Sequence, residues 1–187
     1  MKLYDKLPDT VTVKGKKIKV NLDFKNVLRM IDILEQDDLL PEVKEYLALK
    51  CICRRPVDGM MEAVINLLFP RFREHDKITD YTQDADLIRA AFRQVYGIDL
   101  YKARLHWFEF SCLLACIPEG TRYGDVLSIR ARPIPAATPY NQKEIEWLRR
   151  AKAEVALKLT ETERLDKYHR DVENIGAFLL ALAEEGE

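Results

Sequence analysis

The sequence predicts a mainly α-helical protein: a multi-helix domain with an N-terminal β-hairpin and a C-terminal helical extension. Three observations carry this expectation. From Asp23 onward, apolar residues recur at steps of three and four, the period of helices that bury one side. A single stretch, "TVTVKGKKIKV", alternates at period two around a turn. The run "RPIPAATP" places Pro133, Pro135 and Pro139 so close together that neither a helix interior nor a central strand can contain them.

The 187 residues, 48% hydrophobic and 33% charged, suit one main globular domain with a separable extension. The prolines set the expected boundaries: a helical domain over 1–132, a connector over 133–139, and an extension over 140–187. The 30 basic and 31 acidic side chains nearly cancel, so no global field favours nucleic acid or an anionic membrane. The start, "MKLYDKLPDT", has no continuous apolar run of the kind a signal peptide needs. No later run approaches the roughly 20 apolar residues of a membrane span, so neither secretion nor membrane insertion is expected.

In the hairpin, expected over 10–20, Val11 and Val13 answer Ile18 and Val20 across a Lys14-Gly15 turn. Residues 1–22 hold six lysines against Asp5 and Asp9. Lysines along an edge strand discourage unwanted pairing. Their functional alternative is an arm that contacts anions or nucleic acid, although no aromatic residues interleave them for stacking.

The helices follow in order. Phe24, Val27, Leu28, Ile31 and Leu34 form a stripe behind a capping Asp23. Pro41 opens a second helix, expected to bury Val43, Leu47 and Cys51 before Pro56 stops it. A third uses Met61, Val64, Ile65 and Leu68 and ends or kinks at Pro70, and "RFREHDKITDYTQD" is then a connecting loop. A fourth, with apolar residues at 87, 88, 91, 92, 95 and 96, ends at Gly97, the expected left-handed cap. Asp99 is placed to cap a helix from 101 to about 117. This helix carries two stripes, Leu105-Phe108-Cys112 and Trp107-Phe110-Leu114, and is expected to be the most buried. "RYGDVLSIRAR" offers a short helix before the connector.

Beyond the connector, "NQKE" and "TETE" place Asn141 before Glu144 and Thr160 before Glu163 at capping-box spacing. Two charged helices or one long broken helix would satisfy them. The last stretch carries Leu165, Tyr168, Val172, Ile175, Leu179 and Leu182, an a/d seam through about three heptads and the candidate partner-binding surface. Packing on its own domain and joining a second chain are both open for it.

Chemical motifs are absent from the sequence. No phosphate-cradling, nucleophile-elbow, zincin or EF-hand pattern occurs, and seven glycines leave little material for glycine-rich loops. Cys51 and Cys53 form a C-x-C pair and Cys112 and Cys116 a C-x-x-x-C pair, spacings that match no common zinc site. All four read as buried free thiols. Asp80, Asp84 and Asp86 read as helix capping and loop solvation, and His75 and His169 as exposed. On the expected helix, His106 has Lys102 and Glu109 as neighbours, without a nucleophile or an oxyanion-stabilising loop. A hydrogen bond that fixes structure is expected of it, and no catalytic residue, metal or cofactor.

Residues 84–132, "DADLIRAAFRQVYGIDLYKARLHWFEFSCLLACIPEGTRYGDVLSIRAR", resemble the bacteriophage family named for its gene product fifteen, found in long-tailed phages and prophages. The resemblance rests on Phe92 and Tyr96, the string Tyr-Gly-Ile-Asp-Leu at 96–100 with Gly97 and Asp99, then His106-Trp107 with Phe110, and Ile129-Arg130. It covers the middle quarter well and hardly reaches the C-terminal helices. It implies a non-enzymatic role in tail morphogenesis: a tail assembly chaperone in the bacterial host cytoplasm that binds tail or tape-measure proteins; the seam, apart from the resemblance, offers a homo-oligomer through the C-terminal helix. The alternative is a nucleic-acid-binding regulator that uses the Lys-rich hairpin and Arg130 with Arg132, discriminated by a steep salt dependence of binding.

Overall fold

A computed structural model describes residues 4–69, 77–159 and 164. It is mainly α, with an antiparallel hairpin ahead of the helices. Strands β1 (Thr10–Val13) and β2 (Lys16–Lys19) pair Val11 with Ile18 and Val13 with Lys16. Lys14 and Gly15 both take positive φ, 48° and 78°, the geometry of a primed two-residue turn whose twist suits paired strands. Val11 and Val13 turn into the core, while Thr10, Thr12 and most of the lysines face solvent.

Helix α1 (Phe24–Leu34) starts at Asp23, whose carboxylate accepts from the Lys25 N–H, and buries Phe24, Val27 and Met30. Helix α2 (Pro41–Ile52) packs on α1, and here the expected face is wrong. It buries Ala48, Leu49 and Ile52, leaves Val43 43% and Leu47 39% exposed, and half-buries Cys51. α2 has apolar residues on two sides, and α1 takes the side where the small Ala48 admits a close neighbour. Helix α3 (Met60–Leu68) buries Met60, Val64 and Leu68 at four-residue steps, one position off the expected Met61 and Ile65, which are half-buried.

Helix α4 (Ala85–Tyr96) ends as expected at Gly97, with φ 67°. The Gly97 N–H donates to Arg93 O and the Ile98 N–H to Phe92 O, closing the carbonyls that a helix end leaves open. Helix α5 (Trp107–Ala115) begins six residues later than residue 101. The Asp99 carboxylate does cap, but it caps a single turn, accepting from the Tyr101 N–H at 3.1 Å. The chain then runs extended because it is bonded to the segment ahead of α1: Phe24 N–H donates to Leu105 O at 3.0 Å and Trp107 N–H to Leu22 O at 2.7 Å.

Only one of the two stripes on α5 is buried, that of Trp107 and Phe110. Phe108 is half-buried and Cys112 and Cys116 are exposed, so α5 is not apolar core all round, and of the four thiols Cys53 alone is buried. Helix α6 (Arg122–Ala131) is capped by Thr121, which accepts from the Gly124 N–H and donates to Pro118 O. Gly124 is glycine for a steric reason: a Cβ there would stand 2.3 Å from the Pro118 carbonyl oxygen.

Contacts divide the chain into two units, Met1–Pro133 and Ile134–Glu187. In the second, helix α7 (Gln142–Glu154) buries Ile145 and Leu148. Asn141 does not close a capping box there; its side chain bridges Thr138 N–H and Ala136 O in the turn before the helix. Thr160, Glu163 and the seam from Leu165 to Leu182 lie outside the described residues, as do Pro70, His75 and His169.

Candidate functional site

The signature residues divide: Gly97 closes α4 and Asp99 caps the turn after it, while Trp107 and Phe110 enter the aromatic core. Phe110 is 1% exposed and stacks on Phe24 at 4.8 Å and on Phe92 at 5.3 Å, with the Trp107 ring tilted against it at 5.9 Å. Such aromatic contacts add to the area they remove from water. His106 is the N-cap of α5, not a residue within a helix, and Glu109 is not its partner. Its Nδ1 accepts from the Phe108 N–H at 3.3 Å, which leaves Nε2 as the protonated nitrogen, donating to Pro8 O at 3.0 Å. One ring thus caps a helix and ties the chain ahead of β1 to the core.

Replacing His106 by alanine is expected to lower stability by roughly 1–2 kcal/mol through loss of the cap and the Pro8 bond. Asparagine, which can still accept from the Phe108 N–H, should recover about half of that. Thermal melts of the two variants check this, and equal losses would mean that the cap contributes nothing.

A second cluster joins the loop before α4 to α6. Arg130 clamps Asp84 with two bonds of 2.7 and 2.9 Å and also donates to Ile78 O at 3.0 Å. Asp84 accepts the Asp80 N–H, and Asp80 in turn accepts from Thr82 and Gln83 N–H. Burial pushes the Asp80 carboxyl up, but those donors and the Lys77 ammonium outweigh it and hold it below the usual carboxylate range. Asp80 and Asp84, 7% and 2% exposed, are therefore buried and paired, not solvated; Asp86 alone of the three stands in solvent, paired with Arg89. Arg130 is committed to this cluster, which removes it from the residues a nucleic acid could use.

Burial also pushes the Tyr81 phenol up to about 12, with Tyr123 and Glu35 adding to the effect. A phenol held neutral in the fold and free to ionise near pH 10 when unfolded contributes stability that is complete below about pH 10. It is lost as pH rises towards about 12. Melting temperature is expected to fall across that interval, and Tyr81→Phe to shallow the fall. Part of the slope should survive, because burial raises the Tyr123 phenol in the same direction.

Two concave surfaces remain. A groove of about 700 Å³ runs between β1 and α3, with Thr10, Thr12, Lys14, Glu62 and Asn66 among its lining residues. A cleft of about 430 Å³ lies between α1 and α4, within the range of ligand sites. Phe24, Tyr81 and Phe110 floor it, and Lys25, Arg29 and Arg89 stand among its lining residues with Asp32 as the one carboxylate. Tyr101, 71% exposed, forms one wall: the Arg89 guanidinium lies 4.7 Å from its ring centre and Lys25 donates to its carbonyl at 2.9 Å. Sequence reading missed this cleft, since its cations are dispersed over two helices and no local charge run marks it. Elsewhere, Leu40, Val43 and Leu47 expose an apolar stripe on α2, beside Tyr46.

Among the described residues, no group of three or more His, Cys, Asp or Glu side chains is gathered as a metal site, and no helix is long and apolar enough to cross a membrane. No curated protein matches the chain, and no solved structure does. The family described as "Bacteriophage Gp15 protein" matches residues 3–79 and 69–157, far beyond the 84–132 stretch that carries the resemblance. Most of the chain, from the segment before the hairpin through α7, falls within the match, and the chain belongs to the bacteriophage Gp15 family.

Proposed function

We propose that this phage protein is non-enzymatic and acts in tail morphogenesis, as a tail assembly chaperone that holds a tail or tape-measure protein in the host cytoplasm. The observation that carries the reading is the α2 stripe: Leu40 is 70% exposed, with Val43 and Leu47 following on the same side of the helix. Apolar side chains at such spacing, left in water, suit a surface that holds another chain. Membership of a phage family supplies the setting.

Co-expression of the full chain with each tail protein of its operon tests this. The expected result is co-purification with a tape-measure or tail-tube protein, weakened when Val43 and Leu47 are changed to Ser. Failure to retain any tail protein, together with DNA binding that weakens steeply with salt, would replace the reading with the nucleic-acid one. The C-terminal seam adds a homo-oligomer to this reading. Removing the residues beyond Leu159 should lower the number of chains per particle seen by light scattering, and an unchanged oligomeric state would rule out a seam between chains.

A further inference from the structure

We infer that the cleft between α1 and α4 is a docking site for an acidic peptide segment that carries an apolar anchor. Its floor is aromatic, formed by Phe24, Tyr81 and Phe110, and offers an apolar side chain shelter from water. Its charge is lopsided: Lys25, Arg29 and Arg89 against Asp32. Asp32 is partly satisfied within the fold by the Thr82 hydroxyl at 3.4 Å, and Arg89 by Asp86 at 2.7 Å.

The aromatic floor and the basic side chains together favour a peptide over a phosphorylated small molecule. Lys25 and Arg29 lie one turn apart on α1, with Arg29 also bonded to Asn26 Oδ1 at 3.3 Å, and Arg89 lines the cleft from α4. A segment with carboxylates on either side of a Leu or Phe meets both the charges and the floor, whereas a phosphate group leaves the apolar floor unfilled. Tyr101 is already held in place by Arg89 and Lys25, so the wall needs little ordering when a segment enters. The inference rests on the partner-holding reading only for who supplies the segment; the cleft's preference stands on its own charge and floor.

The test uses the full chain and a fluorescein-labelled synthetic peptide with a Leu-Phe pair flanked by glutamates, its counterpart with lysines for glutamates, and fluorescence anisotropy. The glutamate peptide should bind and the lysine peptide should not. The paired change Arg29→Glu with Arg89→Glu should weaken glutamate-peptide binding by at least about tenfold, and the Gln pair should fall between. Arg29 is exposed and Arg89 half-buried, and an unchanged melting temperature verifies the fold. Equal binding of the two peptides, no binding of either, or binding indifferent to the charge reversal would overturn the inference. If the charge-reversed protein still co-purifies with its tail partner while losing the acidic peptide, the cleft's preference stands and the tail partner is held elsewhere. Loss of the tail partner alone from the Val43 and Leu47 variants concerns the α2 surface and leaves the cleft as it is.

Discussion

Phe110→Ala is expected to cost about 3–5 kcal/mol of unfolding free energy, enough to bring a domain of ordinary stability to the edge of unfolding. Phe110 is 1% exposed and sits between Phe24 and Phe92, whose planes lie within 15° and 14° of its own. These rings come from three helices, α1, α4 and α5, so the cavity would open where the three meet. Truncation removes a large apolar side chain and leaves space that rigid neighbours cannot close. Phe110→Leu keeps most of the volume and is expected to cost under about 2 kcal/mol. The urea midpoints of both variants decide the matter, and a midpoint for Phe110→Ala equal to that of the unchanged protein would show that the stack is not where stability resides.

Arg130→Met is expected to be comparably severe, at about 3–5 kcal/mol, for a different reason. The Asp84 side chain is 2% exposed, and its bidentate partner is the Arg130 guanidinium. Without that partner the carboxylate stays away from water with, among the described residues, only the Asp80 N–H to compensate it. Adding Asp84→Leu removes the stranded charge and should restore part of the loss, because an apolar pair of similar size often replaces a buried ion pair at little cost. Full recovery is not expected: the double change leaves the Asp80 N–H and the Ile78 carbonyl without the partners they have now. Melting temperatures of the single and double variants test the sign. A double variant less stable than Arg130→Met would contradict the stranded-charge account.

Features governed by local sequence were legible. The Asp23 cap, the Gly97 cap and the Lys14-Gly15 turn each depend on residues within a few positions, and each stands where expected, whereas the stripe behind Asp23 half-buries Leu28, Ile31 and Leu34 and buries the unforeseen Met30. Features set by distant partners were not. The start of α5 depends on bonds from residues 105–107 to residues 22–24, more than eighty positions away, which hold His106 extended when its own neighbourhood would continue a helix. The buried face of α2 was a choice between two apolar sides, and only the docking of α1 resolves it.

The sequence by itself determined that this chain is mainly helical, where most helices lie, which residues close α4, and the family it resembles, because periodicity, capping and a string of residues are all local properties. Tertiary structure alone decided that Arg130 and Asp84 are a buried pair 46 positions apart. It also decided that His106 reaches back 98 positions to Pro8, and that Lys25, Arg29 and Arg89 border one aromatic cleft. Charge and aromaticity become a site only when chain segments far apart in sequence are brought within a few ångströms, and no local pattern encodes that distance.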